Sequence, residues 1–232
     1  MPPAKSYFAM WDQRESDTTE QIEPFRKYFF ICEGSNTEVR YFKRLIDIRK
    51  ELGIKATIDI RLLEKTGEDK TNSHPKRLIA FAEQQKSNPA ISFDKERDKM
   101  VIVFDADIFE GKPSEYEALL SEEKNNILGV TNPSFELFLL LHFAGAVDDY
   151  IKPNYYDILK NDWVESRRYI QCLFTEVSGM NPKTNKRIRE LADRIDIAIA
   201  EEQNINEDIA LCQGNITCNL AKIIDDIRND SY

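Results

Sequence analysis

Apolar residues recur along this chain in two rhythms that alternate. Tyr28–Ile31, Met100–Phe104 and Ile127–Val130 are short, nearly continuous apolar runs, which predict strands buried on both faces. Ala56–Leu63 alternates apolar with polar residues and is β-branched early, predicting a further strand. Between these runs the period lengthens. Val39, Phe42, Leu45, Ile46, Ile48 and Leu52 recur near helical spacing over Asn36–Leu52, with Gly53 placed as a C-cap. Pro75 sits where a first helical turn begins, and Leu78, Ile79, Phe81 and Ala82 carry that helix to about Lys86. Lys112-Pro113-Ser114 opens a helix to about Lys124, and Phe135–Phe143 forms another after Pro133. The β-α-β-α-β-α-β-α order predicts an α/β fold with a parallel sheet of about four strands flanked by helices.

The two ends of the chain differ from this middle. Residues 1–26 are polar without sustained periodicity and read as an N-terminal arm before an α/β domain over 27–148. Beyond it the pattern is helical, with segments predicted near Tyr155–Trp163, Val164–Phe174, Lys186–Glu202 and Thr217–Arg228. Ile188, Leu191, Ala192, Ile195 and Ile199 form a clean helical face. Residues 149–232 are thus expected to be a helical extension packing on the domain. No apolar run approaches the ~20 residues of a membrane span, and Met-Pro-Pro-Ala-Lys is no signal peptide. The four cysteines show no CxxC spacing, which argues against zinc and for reduced thiols in a cytoplasmic protein. The net charge of −9 disfavours broad duplex binding but leaves room for a nuclease with a local basic patch.

Acidic residues stand where strands should end. Glu33 follows Tyr28–Ile31 closely, Asp105-Ala106-Asp107 follows Met100–Phe104, and Glu136 lies just past Ile127–Val130. Parallel strands deliver their carboxyl ends to one edge, where ligands bind. Carboxylates gathered there repel one another unless a cation sits among them, so the pattern asks for a divalent metal, Mg²⁺ or Mn²⁺. Alternate residues beyond a strand, such as Asp105 and Asp107, can aim at a common point. Glu38 is either a capping residue in its helix's first turn or a further ligand. Glu136 suits a helix dipole, yet its helix is apolar almost all round, so the carboxylate needs a partner, either a metal or Asn132. His142 reads as a satisfied interior histidine. Lys183, Lys186, Arg187 and Arg189 form the densest basic patch, either a solvated helix start or a phosphate clamp; Arg40, Lys76 and Arg77 are weaker candidates.

Three stretches, ICEGSNTEVRYF (Ile31–Phe42), VFDAD (Val103–Asp107) and TNPSFELFLLLHF (Thr131–Phe143), resemble the RloB family, whose members carry a Toprim-type catalytic domain. The resemblance covers about residues 28–143. It implies that Glu33, Asp105 and Asp107 hold Mg²⁺ and carry catalysis, while Glu38 and Glu136 stay candidate ligands on the reading of the residues alone. It also implies a nuclease acting on RNA or DNA in bacterial anti-phage defence, paired with an ATPase. The chain departs from the usual pattern at Ser35-Asn36 (more often Glu-Lys), Val39 (proline), Ser134 (cysteine) and Phe138 (tryptophan), while every acidic position is kept. A non-catalytic sensor or adaptor on the same fold is the alternative. A receiver-like phosphoacceptor built on Asp105 and Thr131 lacks the strand and lysine it would need. The acidic surface and apolar tail helices would accommodate a homodimer.

Overall fold

A computed structural model describes residues 5–7, 25–65 and 73–230. The arm read over 1–26 lies almost wholly outside the described residues, apart from a short strand, β1 (Lys5–Tyr7). Four strands run parallel: β2 (Arg26–Cys32), β3 (Ile58–Glu64), β4 (Lys99–Asp105) and β5 (Ile127–Asn132). Two edge strands extend the sheet antiparallel, β1 against β3 and β8 (Thr217–Cys218) against β5, in the order β1-β3-β2-β4-β5-β8. The parallel strands are the expected ones; both antiparallel edges went unpredicted because each is too short to show a period.

The continuous apolar runs arise because both sheet faces are covered. Along β2, Tyr28, Phe30 and Cys32 enter one core while Phe29 and Ile31 enter the other. The first core is capped by α1 (Thr37–Asp47) and the second by α2 (Pro75–Lys86) and α3 (Pro113–Glu122). Pro75 and Pro113 each open their helix, and the His74 imidazole accepts the Lys76 N–H at 3.3 Å. Among the described residues no helix is long and apolar enough to cross a membrane.

Beyond β5 the structure departs from the sequence reading in detail. Helix α4 is short, Phe135–Leu140, rather than reaching Phe143, and it follows a cis Asn132–Pro133 bond. The segment read as two helices over 155–174 is α5 (Tyr155–Lys160), a hairpin of β6 (Trp163–Val164) and β7 (Arg167–Arg168), and then α6 (Tyr169–Ser178). Asn161, at φ 45°, ends α5 in the left-handed conformation that asparagine tolerates. Lys186–Arg194 is a 3-10 helix running into α7 (Ile195–Glu202), and β8 precedes α8 (Leu220–Arg228). Residues of α4, α6, α7 and α8 share one core with Phe30 of β2 and Phe42 of α1.

Candidate functional site

Within the parallel strands the chain winds outward both ways from the neighbouring pair β2 and β4. A doubly wound sheet opens a crevice at the carboxyl ends of the strands where that reversal falls. Glu33 follows β2 directly and Asp105 is the last residue of β4, so both acids reach this point. They are tied through the backbone. The Glu33 N–H donates to the Val103 carbonyl at 2.9 Å, and the Asp105 N–H donates to Glu33 Oε2 at 3.0 Å. Thr131, opposite Asp105 in the register of β5, donates from Oγ1 to Asp105 Oδ1 at 2.7 Å. Lys65 Nζ donates to the Glu33 carbonyl at 2.5 Å and fixes the turn from the β3 side.

Gly34 makes the turn into α1, and Glu38 in the first turn of that helix folds back over it. A methyl group on Gly34 would fall inside the Glu38 carboxylate. Glu136 is 2% exposed in α4 and has three partners: Ser134 Oγ at 2.7 Å, Gln171 Nε2 at 3.2 Å and Lys183 Nζ at 3.0 Å. Asn132 is not among them, against the sequence reading; its Nδ2 donates to the carbonyls of Cys212 (3.1 Å) and Asn215 (2.7 Å) and holds that loop. Lys183 is brought in because Thr37 Oγ1 and Arg40 donate to the carbonyls of Pro182 (2.8 Å) and Lys183 (3.3 Å). Lys186 and Arg187 are exposed, and Arg187 pairs with Glu190 instead. His142 is fully buried: its Nδ1–H donates to the Phe138 carbonyl and its Nε2 accepts from Tyr41, both at 2.9 Å.

The acids share one electrostatic problem. Burial, with the negative charges of Asp107 and Glu38 adding, pushes the Glu33 carboxyl up to about 7, against the Asp105 N–H and Lys65. Asp105 is raised well above the usual carboxylate range by burial and by Glu33, Glu38 and Glu136. Glu38 is raised by burial and by Glu136, with Lys183 opposing. Asp107 is raised by burial and Glu136, with Arg168 opposing. Side chains that all favour a proton mark a place short of positive charge. Among the described residues, however, no three His, Cys, Asp or Glu side chains converge as a preformed metal cage would. The aspartates also part company. Asp105 ends the strand, whereas a 3-10 turn over Ala106–Phe109 carries Asp107 onward to line a cleft of about 460 Å³ with Asn132, Tyr156, Asn161, Arg168 and Gln213.

Sequence reading missed Lys65, Ser134, Gln171 and Arg168. Lys65 was detectable as a lysine just beyond a predicted strand. Gln171 and Arg168 lay in a segment assigned wholly to helix, where nothing marked them as facing the sheet edge. Neither curated proteins nor solved structures give a match to the chain. A family model described as RloB-like protein matches residues 28–227. With that match spanning the sheet, the acidic crevice and the tail that closes it, the chain belongs to the RloB-like family.

Proposed function

We propose that the chain is a divalent-metal-dependent phosphodiesterase that cuts nucleic acid as an effector of defence against phage, working with a partner ATPase. One observation carries the reading. Glu33 and Asp105, on neighbouring strands at the switch point, are tied together by the Asp105 N–H on Glu33 Oε2, and burial and neighbouring carboxylates push both acids upward. The available donors are carboxylate oxygens, the set a hard divalent ion takes. Such an ion commonly uses only one or two protein carboxylates, waters and substrate phosphate completing its shell, so a three-acid cage is not required.

Asp105 would hold the cation, with Asp107 reaching its shell from the cleft wall through water, and the cation when bound supplies charge stabilisation at the scissile phosphate and leaving oxygen. Thr131 and the Asp105 backbone keep the two acids in register. Glu33 Oε2 is occupied by the Asp105 N–H, so Oε1 is the atom that takes a proton from, or returns one to, a reacting oxygen. Lys183, 61% exposed yet paired with buried Glu136, offers a cation to an incoming phosphate. Glu136, Ser134 and Gln171 orient that lysine.

The test is cleavage of plasmid, single strands and total RNA by the full chain in Mg²⁺ or Mn²⁺. Asp105→Asn keeps an acceptor for Thr131 and removes the charge. Its cleavage is expected to fall to background while its melting temperature stays near the parent's. Undiminished cleavage by this variant would sink the reading, and a chain that binds no divalent ion by calorimetry would favour a sensor or adaptor.

A further inference from the structure

We propose that the cleft beside Asp107 receives an unpaired nucleotide, its base stacked on Tyr156 of the cleft wall or on Trp163, which adjoins that wall through Arg168, so that the substrate is single-stranded nucleic acid. This rests on the nuclease reading above and narrows its substrate.

Singly exposed aromatics are ordinary on a protein surface; Tyr156 and Trp163 stand out because one lines the cleft and the other packs on Arg168, which lines it too. Tyr156 is 83% exposed and Trp163 64% exposed, and Val164 beside it is 43% exposed. Trp163 stands on the β6–β7 hairpin, directly across from Arg168. The hairpin turns through Glu165 at φ 55°, a left-handed backbone that a glutamate adopts at a cost. The Arg168 guanidinium lies 4.7 Å from the Trp163 ring centroid, and its Nη1 donates to the Asn161 carbonyl at 3.2 Å. The ring is therefore held by a planar cation while most of it remains open to solvent. Arg168, Tyr156 and Lys160 line the same cleft as Asp107, and the charge of Arg168 acts on the Asp107 carboxyl. A cavity of about 460 Å³ lies within the range of small-ligand sites and suits a single nucleotide.

Charge decides the form of the ligand. The cleft mixes Arg168 and Lys160 with Asp107 and Glu110, Lys160 already pairs with Asp162 at 2.5 Å, and the chain carries −9. A duplex, which presents phosphates and hides its bases, finds little to hold it here. An exposed base brings a π-face that stacks on aromatic rings whatever its sequence. Single-stranded DNA and RNA share that chemistry.

Binding is measured by fluorescence anisotropy with the full chain in EDTA, so that no strand is cut. The probes are short labelled single strands of one sequence, as DNA and as RNA, and the matched DNA duplex. Single strands are expected to bind more tightly than the duplex, and whichever of DNA or RNA binds better identifies the natural source. Trp163→Ala and Tyr156→Ala should each weaken single-strand binding by about five- to a hundredfold. Trp163→Phe should keep most of the affinity and Arg168→Lys should lose part of it, because stacking needs the planar group. Both aromatic positions are exposed, and matched melting curves verify folding. Equal binding of duplex and single strand, or Trp163→Ala binding like the parent, overturns the proposal. The two readings fail separately. Background cleavage by Asp105→Asn alongside Trp163-independent binding removes this one alone. Trp163-dependent binding alongside undiminished cleavage by Asp105→Asn removes the catalytic assignment and leaves the stacking site.

Discussion

Gly34 and Glu38 show how one absent side chain shapes the acidic crevice. Glu38 rests where a Cβ on Gly34 would stand, and burial and Glu136 hold its proton affinity above normal. Gly34 does not lie at positive φ, so alanine meets no backbone strain, and the obstacle is the movable end of a flexible side chain. Gly34→Ala should therefore change stability by under about 1 kcal/mol while lowering metal-dependent cleavage by about tenfold or more, since displaced acids misplace the reacting groups. Melting and cleavage assays on one preparation separate the effects; equal loss in both would contradict this. His142 makes a second residue-scale prediction. Burial, with Arg194 adding, lowers its imidazole to about 4, while the unfolded side chain titrates near 6.5. Between these values the unfolded chain binds a proton that the folded chain refuses, so stability falls as pH drops through that window, by up to about 3 kcal/mol. The raised carboxyls push the opposite way over overlapping pH. Comparing the parent with His142→Gln in urea titrations from neutral pH downward isolates the histidine: the variant should lose less stability on acidification, and parallel profiles would refute it.

Among elements, α8 approaches the sheet at a point set by Gly129. A Cβ on that residue would lie 2.6 Å from Leu220 Cδ2 and 3.3 Å from Val103 Cγ2. Gly129→Ala must displace the buried Leu220 side chain or shift α8 off β5, and overpacking of this kind costs about 1–3 kcal/mol. The urea midpoint should drop accordingly; a midpoint unchanged from the parent would show that the contact with Leu220 yields without cost. The hairpin teaches a different lesson about elements. Trp163, Val164, Arg167 and Arg168 occupy strands of two residues each, and no periodicity can appear in two positions. Trp163 and Val164 are exposed while Arg167 and Arg168 are half-buried, so no buried face marks the hairpin either.

For the molecule as a whole, the tail is part of the sheet and of the crevice. β8 pairs with β5, α6 to α8 share the core of β2 and α1, and the tail supplies Gln171 and Lys183 to Glu136. Residues 25–148 expressed alone would expose Phe30's side of the core, including Phe138 and Leu140, and leave Glu136 buried against nothing. That fragment is expected to aggregate or melt without cooperativity, read by circular dichroism and light scattering. A cooperatively folding fragment would show the α/β part to be independent.

Local order could be read from residues because it has a period. The parallel strands, the helices opened by Pro75 and Pro113, and the placement of Glu33 and Asp105 at strand ends all follow from hydrophobic spacing and backbone preference, which neighbouring residues settle among themselves. Which acids face each other, which cation answers them and where the chain adds its antiparallel edges depend on contacts between residues far apart in sequence. Glu136 gains Lys183 across forty-seven positions only because Thr37 and Arg40 anchor the intervening loop. Asp107 parts from Asp105 because a 3-10 turn, not a strand, carries it toward Arg168. The residues named the acids; packing chose their partners, since desolvation and charge pairing act only between groups that the fold has brought together.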